Sequence, residues 1–124
     1  MTKPLALIFY ERLMPGSQLV NRLQDLGYRV STCTDLAGLH AQVENELPMI
    51  LVMDLNSERG DVNGVIKDIC NNEKTAHIPI VAFTGKANKT GQDAAVDAGA
   101  KLVAVDEAIL QQLPHLLEQA LEVD

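Results

Sequence analysis

The chain has 124 residues, a formal net charge of −7 and 47% apolar residues. That length fits one domain, residues 1–124, with a core of its own; the apolar fraction argues against disorder. An acidic balance without a basic cluster argues against direct binding of nucleic acid. No apolar run approaches the roughly 20 residues of a membrane helix, and the opening MTKPLALIFYERL is too short and too soon charged for a signal peptide. Cys33 and Cys70 lie in apolar-looking segments with no close pairing, so both read as free buried thiols of a cytoplasmic protein.

The first element is the apolar run Leu5 to Phe9, a buried strand. Pro15 and Gly16 mark a loop, and Leu19, Val20, Leu23 and Leu26 then fall at helical spacing, with Gly27 as the C-terminal cap. Tyr28 to Cys33 is β-rich and more polar, as an edge strand is. Asp35 caps a second helix carrying Leu36, Leu39 and Val43. Met49 to Met53 is the next strand, introduced by Pro48. After the polar loop LNSERGDVNG, the spacing of Val62, Val65, Ile66 and Ile69 predicts a third helix. Ile78 to Phe83 is a fourth strand, entered through Pro79. Thr90 to Asp93 has capping-box spacing and opens an Ala-rich helix that stops at Gly99. Leu102 to Val105 is a fifth strand, and Leu113, Leu116, Leu117, Ala120 and Leu121 form the last helix, with Pro114 near its first turn.

Five strands alternate with five helices. The strands are continuously apolar, as expected when both faces are covered. The predicted fold is α/β, a doubly wound five-stranded parallel sheet between two helix layers. Chemistry in such sheets sits beyond the carboxyl ends of the strands. Those ends carry Tyr10 and Glu11, then Asp54, then Thr84 and Gly85, then Asp106. Each has a local alternative: Asp54 as a turn cap, Thr84 as a side-chain turn, Glu11 as a solvated acid at a helix start, and Asp106 as the N-cap of the last helical segment. The joint placement is what favours a site, because four strand ends present polar groups to one rim.

The segments MILVMDL around Asp54, HIPIVAFTG around Thr84 and DAGAKLVAV before Asp106 resemble the response-regulator receiver domains of two-component signalling, of the CheY type. The resemblance covers the whole chain, and the separations of Asp54, Thr84 and Asp106 fit the family's spacing from phosphoacceptor to hydroxyl to lysine. It implies the flavodoxin-like strand order 2-1-3-4-5 and a phosphorelay signalling module rather than an enzyme. In that reading Asp54 is the phosphoacceptor and Thr84 bonds a phosphoryl oxygen. Glu11, Asp54 and the backbone carbonyl of Asn56 hold Mg²⁺, a cation that needs only one or two carboxylates. The implied partners are a sensor histidine kinase or phosphotransfer protein and a downstream protein target, with no nucleic acid and no membrane; the reading leaves room for a homodimer, and for either a stand-alone receiver or a piece of a longer chain.

The chain also departs from that family's pattern. Tyr10-Glu11 stands where the family has a pair of acids. Asp106 stands where it has a lysine, followed by Glu107 where it has a proline, and Val103 where it has an aromatic switch residue. Glu58 replaces a usual proline in the loop after Asp54. A missing cationic donor costs on the order of 10²–10³ in rate, and Lys86 reads more readily as a solvated loop lysine than as its substitute. Two classes therefore compete: a phosphorylatable receiver, favoured by Asp54 and Thr84, and a pseudo-receiver that binds proteins without phosphorylation, favoured by Tyr10, Asp106 and Val103. A nucleotide or flavin binder is a weaker third, because YERLMPGS lacks a glycine-rich phosphate cradle. His40, His77 and His115 have no ligand spacing.

Overall fold

The computed structural model describes residues 4–10, 13–55, 62–85 and 89–121. Its strands are β1 (Leu5–Phe9), β2 (Arg29–Cys33), β3 (Ile50–Asp54), β4 (Ile80–Thr84) and β5 (Leu102–Val105). Its helices are α1 (Leu13–Asp25), α2 (Leu36–Glu46), α3 (Val62–Asn71), α4 (Lys89–Ala98), α5 (Asp106–Gln111) and α6 (Leu113–Leu121). The sheet is parallel throughout, in the order β2-β1-β3-β4-β5. Every residue of β3 and β4 is buried, as their unbroken apolar runs require of central strands covered on both faces. β2 is an edge and is largely uncovered; there Gln42 of α2 donates to Ser31 Oγ at 3.1 Å.

Alternation along each strand sorts the core into two layers. Leu7 and Phe9, Leu51 and Met53, and Ile80 and Ala82 pack with Leu39, Val43, Ile66 and Ile69 of α2 and α3. Ala6 and Ile8, Ile50 and Val52, and Val81 and Phe83 pack with Leu19 and Leu23 of α1 and with Ile109, Leu113 and Leu117 beyond β5. Each large side chain so buried contributes about 1.5–3 kcal/mol of transfer free energy.

The helix ends follow their sequence signals, with corrections. Asp35 caps α2 by accepting from Ala37 N. Gly27 and Gly99 both adopt positive φ, 93° and 129°, and each closes its helix with a paired turn: Tyr28 N donates to Leu23 O at 3.1 Å and Ala100 N to Ala95 O at 3.0 Å, the glycine-dependent stop in which orphan carbonyls find donors. At Gly27 an added Cβ meets nothing within 4 Å, whereas at Gly99 it stands 2.5 Å from Cys70 Sγ. Gly99→Ala should therefore cost about 2–4 kcal/mol, backbone strain plus overpacking, and Gly27→Ala only about 1–2 kcal/mol of strain. Urea midpoints of the two variants check the order.

Pro15 and Gly16 are not a loop: α1 begins at Leu13 and contains both. A proline in the first turn removes an N–H that has no helical partner there. α4 already runs at Lys89, so Thr90 lies inside its first turn rather than capping it. β4 starts at Ile80, two residues later than expected, because Pro79 has no N–H for the ladder; its carbonyl still accepts from Leu51 N. Asp106 is the first residue of α5, and Val105 holds the N-cap position. Among the described residues there are six helices rather than five: α5 precedes the expected last helix, and the two stay separate because Pro114 cannot donate to Leu110 and its ring disfavours helix just before it. Gln112 marks the break, with φ −115° and ψ 20°, and Pro114 sits in the first turn of α6 as expected.

Both cysteines are free; Cys33 is buried and Cys70, expected in the core, is only partly so. Burial raises the Cys33 thiol above its ordinary 9.0, and does the same to Cys70 and to the Tyr28 phenol. A raised folded-state pKa leaves its stability contribution complete below pH 9.0, and that contribution is lost as pH climbs through the folded value. The urea midpoint should thus fall above about pH 9, and fall less steeply in Cys33→Ala.

Candidate functional site

The carboxyl edge of the sheet gathers the polar residues singled out in the sequence. Asp54 is the last residue of β3 and only 1% exposed, and Thr84, the last residue of β4, is 0% exposed. A carboxylate and a hydroxyl this deep must be hydrogen-bonded or paired to persist, and both have interaction partners in the structure. Asp54 pairs in register with Phe83, and Thr84 with Val105, so Asp106 follows one step beyond Thr84. Leu55 N continues the ladder by donating to Phe83 O at 2.9 Å.

Alternation places these groups around the rim. Asp54 continues the row of Ile50 and Val52, on the face of α1, α5 and α6. Thr84 continues the row of Ile80 and Ala82, on the opposite face. A group seated beyond the strand ends is thus approached from both sides of the sheet. Tyr10 lies one step past Phe9, which pairs with Met53, so it stands beside Asp54 and on the same face; its N–H donates to Cys33 O at 3.1 Å. Asp106 is half-buried at the start of α5, where the helix dipole favours an acid. Val103 is half-buried and packs against the layer of α2, α3 and α4, a small aliphatic filling without an aromatic ring to swing.

Glu11 and Asn56, the other expected magnesium ligands, lie outside the described residues, as do Glu58 and Lys86. Among the described residues no group of three His, Cys, Asp or Glu side chains could hold a metal ion, and a phenol ring occupies the strand-end position where the receiver pattern has a first acid. The described donors do not by themselves make a magnesium site.

The residue that the sequence reading missed is Gly16. A Cβ added there would run into the Tyr10 ring, 2.5 Å from Cγ and 2.9 Å from Cε2. The ring therefore lies directly on the backbone of α1. The Pro15-Gly16 pair was the available signal, and read as a loop it concealed a packing contact.

At the other end of the strands, a hollow of about 500 Å³ opens beside Cys70, His77, Pro79, Gly99 and Lys101. It shares no residue with the Asp54 rim. His40 and Glu44, 3.2 Å apart on α2, meet the Asn72 amide of the turn after α3; His77 lines the hollow, and His115 is in neither group. No helix among the described residues is long and apolar enough to cross a membrane.

No family model matches the chain, and no curated protein matches it in sequence. Solved structures do match in fold. A candidate response regulator from Chloroflexus aurantiacus J-10-fl superposes with a TM-score of 0.89 at 21% identity, over 97% of this chain and 98% of that one. The receiver domain of the sensor histidine kinase PA1611 from Pseudomonas aeruginosa PAO1, which has a magnesium ion coordinated in its active-site cleft, gives 0.86 at 19% identity, over 97% and 98%. The chemotaxis response regulator CheY4 of Vibrio cholerae gives 0.84 at 18% identity, over 96% and 99%. At such identities the likeness is one of fold: the chain has the CheY-like receiver architecture, strand order included.

Proposed function

We propose that the chain is a single receiver-type domain of two-component signalling, with Asp54 as its phosphoacceptor. The observation that carries this reading is the placement of Asp54, a carboxylate sealed at the end of central strand β3, beside the sealed Thr84 hydroxyl at the end of β4. A fold shared with receivers would place no functional demand on those positions by itself; a buried carboxylate and hydroxyl at the two strand ends are what support the reading. In the reaction, a carboxylate oxygen of Asp54 attacks the phosphorus of a donor phosphohistidine. A P–O bond forms as the P–N bond breaks, and the imidazole leaves to take a proton. Such transfer is mostly positioning and charge stabilisation. Thr84 would supply a hydrogen bond to a phosphoryl oxygen. Glu11, Asp54 and Asn56 are the residues to which a divalent cation is assigned by resemblance to receivers. The partners would be a histidine kinase or phosphotransfer protein and a downstream protein.

Tyr10 and Asp106 favour a second reading, a pseudo-receiver that binds proteins without phosphorylation. Amide NMR separates the two. Beryllofluoride with magnesium, a mimic of the acyl phosphate, should shift amides at Asp54, Thr84 and Val103, and Asp54→Asn should abolish the response. A folded protein that ignores the mimic at every concentration would support the second reading.

A further inference from the structure

Asp54 is sealed on the face of the sheet that it shares with Tyr10. The contact between Tyr10 and Gly16 fixes where that ring goes. Tyr10 is held from below by the β1 register and by its N–H bond to Cys33 O at 3.1 Å. From above it meets α1 at a buried residue, Gly16, where any side chain would overlap ring atoms. Carbon atoms in contact stand about 3.5–4.0 Å apart, so the ring occupies the space a Cβ would need. Glycine is among the poorest residues for a helix interior, and here it makes room for an aromatic ring between α1 and the row that ends in Asp54. Tyr10 also packs against the apolar layer on that face, which holds the ring down.

We propose that Tyr10, seated on Gly16, is the residue that closes the Asp54 pocket to divalent cations and phosphoryl-type ligands. The proposal rests on the reading of Asp54 as the reactive carboxylate of the rim. Binding requires the ring to leave its seat. If the open form is populated below about a tenth, the apparent affinity is reduced at least tenfold.

Gly16→Ala is the direct test. The added methyl displaces the ring, at an overpacking cost that alanine's preference for the helix partly offsets. Mn²⁺ is the probe, read by paramagnetic broadening of the Asp54 and Tyr10 amides. Gly16→Ala should half-saturate at a concentration at least about tenfold below that of the unaltered protein, and adding Asp54→Asn should remove the gain. Tyr10→Ala, which empties the space without touching α1, should show the same gain and decides the matter if Gly16→Ala does not fold. Equal Mn²⁺ affinity in the unaltered protein and in a folded variant overturns the proposal, because a merely structural Tyr10 would alter stability and leave cation binding alone. Failure of the phosphoacceptor reading looks different: the Mn²⁺ gain appears while beryllofluoride still shifts nothing.

Discussion

Asp106→Lys should accelerate phosphorylation of Asp54 by a small-molecule donor by on the order of 10²–10³, the usual worth of one well-placed donor to a transition-state charge. Asp106 follows β5 where Val105 pairs with Thr84, so a side chain there starts from the rim where the phosphoryl group would sit. As the chain stands, a carboxylate at that place repels an incoming phosphoryl anion. The substitution removes the repulsion and adds a cation. Asp106→Ala separates the two effects, since it removes the repulsion and supplies nothing. The lysine has a cost: Asp106 sits in the first turn of α5, where the helix dipole favours acids by about 0.3–1 kcal/mol. A lower urea midpoint with a faster reaction is the combined signature, read by intact mass against time with phosphoramidate. Unchanged rates in both variants would mean that position 106 does not face the transferred group.

Phe83→Ala should destabilise the fold by about 3–5 kcal/mol, a large part of the 5–15 kcal/mol that holds a typical domain together. Phe83 is fully buried in β4, between Asp54 of β3 and Ala104 of β5. The buried residues around it are aliphatic, and the Tyr10 and Tyr28 rings that pack against the same layer are only partly buried. Leu26→Ala is the control: Leu26 is 42% exposed, and surface changes of that kind fall within about 0.5 kcal/mol. Equilibrium urea unfolding measures both. A Phe83→Ala loss below about 1 kcal/mol would contradict the packing described for the layer beneath α1 and α5.

Most of the fold was legible because its strongest signals are local and redundant. β1 and β5 fall on their apolar runs without error, and Gly27 and Gly99 end their helices as glycines in left-handed conformations do. The misreading of Pro15 and Gly16 has one cause. Both are helix breakers in isolation, yet Pro15 is tolerated in a first turn and Gly16 is retained for the ring against it. Tertiary context decides what a breaker does, and a linear pattern does not carry it. The site was legible as a set of strand-end residues, Asp54, Thr84, Tyr10 and Asp106, because a parallel sheet brings such ends to one rim. What the ends do to one another was not. The seat of Tyr10 on Gly16 joins neighbouring elements through a contact that has no spacing signature, and Thr75, whose hydroxyl donates to Ile69 O at 2.6 Å to close α3, drew no attention in the sequence for the same reason.

The most direct measurement is peptide-level mass spectrometry of the protein after prolonged incubation with phosphoramidate and magnesium, with borohydride used to trap an acyl phosphate. A trapped product on the β3 peptide, located at Asp54 and missing in Asp54→Asn, is the predicted result, slow in the unaltered protein and faster in Gly16→Ala. No product at Asp54 in either protein, with both shown to be folded, would contradict the phosphoacceptor assignment and leave the receiver fold serving as a protein-binding module.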